Sequence, residues 1–387
     1  MNSALVDSEL ENYMVKTRRH FHENPELSTR ETETARRIEE ELRSMGLNPI
    51  RIGRTNLYAD IKGMYPGKTV AIRADIDALP VAEENTVEYI SKNKGVMHAC
   101  GHDSHITMVL GVGKLMTKYR DFKGTVRLLF QSSEELPPGG AKELINGGAL
   151  KDVDFVIGQH VESRVPSGYA AVFYHEAMAN ADEFRVKIHG VGGHGSAPQE
   201  AVDAIIAATQ FVSLAQTIIS RKVDPYMPAV VTVGTLNAGY RYNIIAAHAE
   251  MTGTVRTFHK NVQDIIRKEL EHILKGVCEA THTKYEFQYI EGYPALINHE
   301  EVSRVIEEVA QDVLGKDRVL HPNPSMGGED FAYYLQEKPG AFYFLGVGNE
   351  KKGLISPQHS PTYNIDEDAM KYGTEILYRT AQKLLSR

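Results

Sequence analysis

The chain has 387 residues, 42% hydrophobic and 24% charged, with a formal net charge of -8. This describes an ordinary globular protein with room for one large domain or two, and the acidic balance excludes nucleic acid as a main partner, because phosphate binding needs a basic face. A small anionic substrate needs only one local Arg or Lys and stays open.

Only two cysteines occur, Cys100 and Cys278, too few for a disulfide framework, so a reducing, cytoplasmic compartment is expected. Met1 to Asp7 show no basic region followed by an apolar core, hence no expected signal peptide. No apolar run approaches the roughly 18 residues of a membrane helix, so no membrane partner is expected.

Along the chain, Ser28-Thr29-Arg30-Glu31 reads as a capping box. It should open a helix with Ala35, Ile38, Leu42 and Met45 on one face, stopped by Gly46. Thr69 to Ala74, Val126 to Phe130 and Phe155 to Gly158 are apolar runs suited to strands buried on both faces. A helical pattern with Ile106, Val109, Leu110 and Met116 lies between them. Strands alternating with helices predict an α/β domain, a mixed and mostly parallel sheet flanked by helices.

The pattern changes near Met178. Phe184, Val186 and Ile188 alternate as in a half-exposed strand. A helix from about Glu200 to Ser220 follows, then strand patterns over Ala229 to Leu236 and Ala249 to Phe258. A helix from about Val262 to Val277 and a strand from Tyr285 to Ile290 close the unit. The order β-α-β-β-α-β is that of a ferredoxin-like sandwich. The expected division is therefore an inserted α+β domain at 178–291, with 1–177 and 292–387 forming the first domain. In the returning stretch, Glu300 to Leu314 and Asp366 to Leu385 read as helices and Ala341 to Leu345 as a strand.

The unusual polar residues sit between core elements. His98-Ala99-Cys100-Gly101-His102-Asp103-Ser104-His105 packs three histidines, a thiol and a carboxylate into the turn before a helix. Cys100 and His102 are two apart, so both can point the same way from extended backbone, and both residue types bind zinc and similar ions. Asp75-Ile76-Asp77, Glu134-Glu135 and His160 each follow a strand pattern. In a parallel sheet all would lie towards the carboxyl ends of strands, where open α/β folds bind ligands. In the glutamate pair, one carboxylate can bind metal while its neighbour takes a proton from the water the metal activates.

The inserted domain adds His194 in the glycine-rich turn Gly190 to Ser196, Asn243 before a strand, and Arg256 near that strand's end, able to grip a carboxylate. No Gly-x-Ser-x-Gly elbow, phosphate loop or dinucleotide fingerprint is present. A papain-like role for Cys100 would need a His partner further off in sequence than His102.

These segments resemble those of the metal-dependent aminoacylase and carboxypeptidase amidohydrolases, in the branch with hippurate hydrolase, auxin-amino-acid hydrolases and N-acetyl-diaminopimelate deacetylase. Arg18-Arg19-His20-Phe21-His22-Glu23-Asn24-Pro25-Glu26-Leu27-Ser28 is similar to the family's opening signature. Ala71 to Pro80 is similar to its second motif, His98 to His105 to its metal motif and Phe130 to Glu135 to its base motif. The chain departs from the family in having Ser132-Ser133 before the glutamates and Pro198-Gln199 after the Gly-Gly-His turn.

The resemblance implies two divalent ions per subunit, zinc first, with manganese, cobalt or nickel as alternatives. It implies Cys100, His102, Glu135, His160 and His359 as ligands, with Cys100 bridging as a thiolate. Glu134 would be the general base and acid, and Asp77 would orient a ligand. His194 would stabilise the oxyanion. Asn243, Arg256, Gly327 and Gly328 would line the substrate site. His98, Asp103 and His105 would support the ligands or start the helix. The implied reaction is hydrolysis of an amide next to a free carboxylate, in an N-acyl amino acid or short peptide, with deacylase and carboxypeptidase roles both open. The inserted domain would act as a lid and join copies into a homodimer or homotetramer.

Overall fold

The protein was analysed as a computed structural model, which describes residues 5–387. Met1 to Ala4, part of the stretch read as lacking a signal peptide, lie outside the described residues. The chain divides into two compact units, one of Met1–Ala177, Ile297–Pro324 and Asp330–Arg387, the other of Met178–Leu296 with Ser325–Glu329. The second unit thus exceeds 178–291 in two places. Strand pairing carries its last strand to Tyr293, and Ser325 joins it by accepting a hydrogen bond from the Ala179 amide at 3.0 Å.

In the first unit the elements that position the site are α1 (Ser8–Glu23), α2 (Thr32–Ser44), β1 (Ile50–Ile52), β2 (Asn56–Lys62), β3 (Tyr65–Asp75), α3 (His102–Lys118), β4 (Lys123–Gln131), β5 (Phe155–Pro166) and β6 (Ala170–Val172). The second unit follows with β7 (Ala181–His189), α4 (Ala204–Ala215), β8 (Ala229–Ala238), β9 (His248–Thr257), α5 (Lys260–Thr281) and β10 (Lys284–Tyr293). The first unit resumes with α6 (Glu300–Leu314), β11 (Val319–Leu320), β12 (Gly340–Gly348) and α7 (Met370–Leu385).

The first unit's sheet has eight strands in the order β1-β2-β4-β3-β5-β12-β6-β11. Its centre, β4-β3-β5-β12, is parallel, and the flanks add antiparallel pairs. The central strands are apolar on both faces because helices cover both. Val70, Ile72, Val126, Leu128 and Ile157 are fully buried, packed with Ile106, Leu110, Ile306 and Ile376 from α3, α6 and α7. At about 25 cal/mol per Å² of apolar surface, each such side chain contributes roughly 1.5–3 kcal/mol.

The second unit's sheet runs β8-β9-β7-β10, all antiparallel, with α4 and α5 packed on one face. Phe184, Val186 and Ile188 of β7 point inward and their neighbours outward, which is why the strand alternates. The fold is therefore a mixed α/β sheet domain with an inserted ferredoxin-like α+β unit. No helix among the described residues is long and apolar enough to cross a membrane.

Two local expectations change. Ser28 does not cap α2: its hydroxyl donates to Asp77 Oδ2 at 2.7 Å, and Glu31 holds the helix's N-cap position without a side-chain cap bond. The helix expected over 200–220 is divided into Pro198–Glu200, α4 and Thr217–Arg221, with Asp203 capping α4 by accepting from the Ile205 amide at 2.9 Å.

Candidate metal centre

Five of the sequence-identified side chains meet at one edge of the first unit's sheet. Asp75 ends β3, the β4 chain turns into Ser132 to Glu135, and Cys100 lies just before α3. His160 does not follow its strand, as expected, but lies within it. β5 outruns β3, pairing with it only as far as Arg73 opposite Gly158, and continues along β12 to Pro166. Gly101 makes the approach of the Cys100 limb possible. It has φ +90°, and a Cβ there would stand 2.5 Å from Val161 Cγ2 and 2.7 Å from the Tyr363 hydroxyl.

Five groups of three potential ligands form among the described residues, and two of them share Cys100. Cys100, His102 and His160 present ligand-type atoms within 4.8 Å of one another, and so do Cys100, Glu135 and His359. Cys100 belongs to both. Within them, Cys100 Sγ lies 3.4 Å from His160 Nε2, His359 Nε2 lies 3.4 Å from Glu135 Oε1, and His102 Nε2 lies 3.9 Å from the same oxygen. Glu134, buried, joins His102 and Glu135 in a further group of this kind. His359 has φ +66°, in the left-handed region, and its backbone amide donates to Ala99 O at 2.8 Å, which seats its loop against the Cys100 limb.

The donor chemistry fits divalent ions. His102 Nδ1 donates to Asp77 O at 2.9 Å and His160 Nδ1 to Val161 O at 2.7 Å, which leaves both Nε2 lone pairs facing the cluster. His102 Nε2 and Glu135 Oε1 are buried without a hydrogen-bond partner, as is Asp77 Oδ1. Unsatisfied buried groups of this kind cost about 1–3 kcal/mol each, and a cation would remove that cost. Burial, with Glu135, Glu134 and Asp75 nearby, pushes the Cys100 thiol well up, so only a cation would make it a thiolate. Burial favours neutral His102, yet Asp75, Asp77 and Glu135 raise it to about 10. The Glu135 carboxylate likewise raises His359. Without metal, Cys100, His102 and His359 are therefore all biased towards their protonated forms.

The support is built mainly from carboxylates. Asp77 Oδ2 accepts from the Glu135 amide at 3.0 Å and from Ser28, while its backbone oxygen holds His102. Burial works against its ionisation, but His102, Ser28 and that amide keep it low. Glu31 accepts from the Ser133 amide at 2.8 Å and from Thr29, fixing the turn before Glu134, where Ser133 has φ +57°. Asp75 pairs with Arg73 at 2.7 Å and with His105 Nδ1 at 2.5 Å, and Arg73 also reaches Asp330 at 2.8 Å.

His105 Nε2 in turn accepts the Val161 amide at 3.0 Å, so neither ring nitrogen is left for an ion. Burial lowers both His105 and His98 to about 4. The supporting roles of Ser28, Glu31, Arg73 and Ser133 are not readable from the linear sequence, because they depend on contacts up to 257 residues away.

The second unit holds the other candidates, and it does not bring them all together. His194 pairs with Ile244 in a short ladder next to Asn243, whose carbonyl accepts from Gly195 at 2.9 Å. Its Nδ1 accepts from the Ser196 amide at 3.1 Å, so the exposed Nε2 carries the proton of the neutral ring. Asn243 Oδ1 is buried without a partner. Arg256 lies at the opposite end of the sheet, donating to Asp182 O at 3.4 Å, whereas His194 follows the His189 end. At about 3.3 Å per residue, the Asp182 and His189 ends of β7 stand on the order of 20 Å apart. Arg256 is half-buried, and its guanidinium also donates to Thr254 Oγ1 and to Val255 O at 3.2 Å. Gly327 and Gly328 pack on Met178 and Ala181, where a Cβ on Gly328 would come within 2.6 Å of the Ala181 Cβ.

The chain is similar to known proteins over nearly its whole length. The chain is 42% identical over 370 residues to thermostable carboxypeptidase 2 of Saccharolobus solfataricus, covering 94% of this chain and 93% of that protein. It is 38% identical over 381 residues to the N-acetyl-L-cysteine deacetylase of Bacillus subtilis, covering 98% and 89%. A Bacillus subtilis crystal structure described as a dinuclear metal-binding peptidase superposes with a TM-score of 0.86 at 32% identity, covering 98% and 99% of the two chains. The profile of peptidase family M20/M25/M40 matches residues 71–383. The chain belongs to that family and is a metal-dependent hydrolase.

Proposed function

We propose that the protein hydrolyses the amide bond of N-acyl amino acids or short peptides with a free carboxylate. The observation that carries this reading is a pair of ligand groups sharing Cys100, with Glu134 beside them. Cys100, His102 and His160 would hold one divalent ion and Cys100, Glu135 and His359 a second, zinc being the first choice by its preference for thiolate and imidazole. Bound there, such ions supply Lewis-acid chemistry, activating water and stabilising negative charge on oxygen.

This chain's own residues do the rest. The Glu134 carboxylate takes the proton of the attacking water and delivers it to the leaving amide nitrogen. Asp77 keeps His102 and Glu135 in place through the bonds described above. His194 donates its Nε2 proton to the developing oxyanion. The half-buried Arg256 takes the substrate's carboxylate, with Asn243 contributing at that same end.

His194 and Asn243 lie beyond the His189 end of the second unit's sheet, and Arg256 lies at its other end. A homo-oligomer in which one copy supplies His194 and Asn243 to another would bring both ends to one substrate. Edge strand β8 with exposed Val230 and Leu236, and α4 with exposed Ile206 and Leu214, offer a surface for such an assembly. Two free cysteines suit a reducing, cytoplasmic setting.

The test is Glu134→Gln, assayed on N-acetyl, N-benzoyl and carbobenzoxy amino acids beside dipeptides. We expect a drop in kcat of about 10²–10⁴ with metal content unchanged. Near-normal turnover by this variant would sink the assignment, and the panel itself separates a deacylase from a carboxypeptidase.

A further inference from the structure

Arg18 lies in α1 and is completely buried. Its Nε is 2.8 Å from Asp103 Oδ2, and its Nη2 donates to Asn364 Oδ1 at 2.9 Å. Asp103 follows His102 directly, and Asn364 stands five residues after His359. One guanidinium therefore spans the two limbs that carry these histidines, 257 residues apart in sequence.

Its surroundings reinforce the span. His22 Nδ1 also reaches Asp103 Oδ2, at 2.7 Å, and its Nε2 reaches Glu83 Oε1 at 3.0 Å. Arg19 forks onto Glu367 at 2.7–3.2 Å, fixing the stretch after Asn364. Tyr89 lies under both arginines and accepts from Asn364 Nδ2 at 3.2 Å. A buried charge persists only with such pairing, because losing one partner strands the other.

We infer that Arg18 is a positioning residue that sets the separation of the Cys100–His102 limb from the His359 limb before any ion arrives. The inference rests on the two-ion reading of the site. A planar fork suits the task because it fixes both directions at once, which a lysine ammonium cannot do. Residues that orient ligands from behind typically change metal affinity about tenfold to a hundredfold when removed.

The experiment uses the full chain stripped with chelator, titrated with Zn²⁺ or Mn²⁺ alone against a chromophoric competitor, with thermal midpoints taken with and without metal. Arg18→Met should bind both ions about tenfold to a hundredfold more weakly, and Arg18→Lys should not restore them. Asn364→Ala cuts the span to the His359 limb, together with the local bonds of Asn364 to Tyr89 and the Ile365 amide, and leaves the Arg18–Asp103 pair. It should weaken one of the two ions about tenfold and shrink the metal-induced rise in midpoint, while the metal-free midpoint holds. If Arg18→Met does not fold, Asn364→Ala decides alone.

Both variants retaining two ions at wild-type affinity would overturn the inference. So would Asn364→Ala lowering the metal-free midpoint with the metal-induced rise intact, since that marks a purely structural bond. Wild-type protein that takes up neither ion would instead overturn the two-ion reading, and this inference with it.

Discussion

The candidate residues of the two units are held in opposite ways. In the first unit, His102 and His160 have one ring nitrogen spent on a fixed partner and the other left for an ion, and Asp77, Glu31 and Asp75 are themselves pinned. In the second unit, His194 is exposed, Asn243 Oδ1 has no hydrogen-bond partner among the described residues, and Arg256 donates to the backbone oxygens of Asp182 and Val255. The difference teaches what each part waits for. Ligands of a strongly charged ion must be preset, because geometric error weakens coordination. On the proposed reading, a group that recognises a variable substrate keeps hydrogen-bonding capacity to spare, as Asn243 Oδ1 does.

Removing the ions should break the comparison most severely. Chelation is expected to abolish turnover, and zinc, manganese or cobalt should restore it, as measured by activity against metal content. Chelator-resistant turnover would point to Cys100 as a nucleophile instead.

Next come paired substitutions with opposite signatures. Asp77→Asn should weaken metal binding about tenfold to a hundredfold, with KM close to wild type once metal saturates. Arg256→Met should leave metal affinity alone and raise KM about tenfold to a hundredfold, matching the roughly 1.5–3 kcal/mol of a charged hydrogen bond. If each variant shifted both quantities equally, the division of labour between the units would be wrong.

Proton release gives a finer reading. His102, raised to about 10, is protonated at neutral pH in the metal-free protein, and the Cys100 thiol is raised well up. Metal uptake must displace these protons, so affinity should fall as pH falls. Calorimetry in buffers of different ionisation enthalpy measures the number released, and a value of zero would contradict the assigned ligands. The smallest effect expected is that of Ser28→Ala, about 1 kcal/mol of stability in a denaturant titration, from the bond to Asp77.

Periodicity made much of the architecture legible. The alternation of Phe184, Val186 and Ile188 and the continuous apolar run at Thr69 to Ala74 each report how many faces of a strand are buried, a local property. The capping box misled because Ser28 had a stronger distant use: its hydroxyl goes to a buried, ionised carboxylate rather than to a helix amide. His160 was misplaced because strand length is set by the partner, and β12 lies far away in sequence.

Cys100 and His102 announced themselves through composition and spacing. Glu31 and Arg18 could not, since a buried charge reads like any helical Glu or Arg until its partners are seen. His359 was reached only through family resemblance, and its loop shows why: it is tied to the site by a backbone amide, which any residue possesses.

The placement of the second unit bears on how the protein folds. The Asn298 amide donates to His175 O at 2.8 Å, so the chain leaves and re-enters the first unit at neighbouring points. As a flexible loop, the stretch between would tax closure only mildly, each doubling of length adding about 0.6 kcal/mol. Once its own uninterrupted β-α-β-β-α-β order has folded, that stretch becomes a short rigid clasp. The late pairing of β12 with β5 then faces a much smaller search, so the inserted unit should fold early and the metal centre, which needs His359, should assemble last.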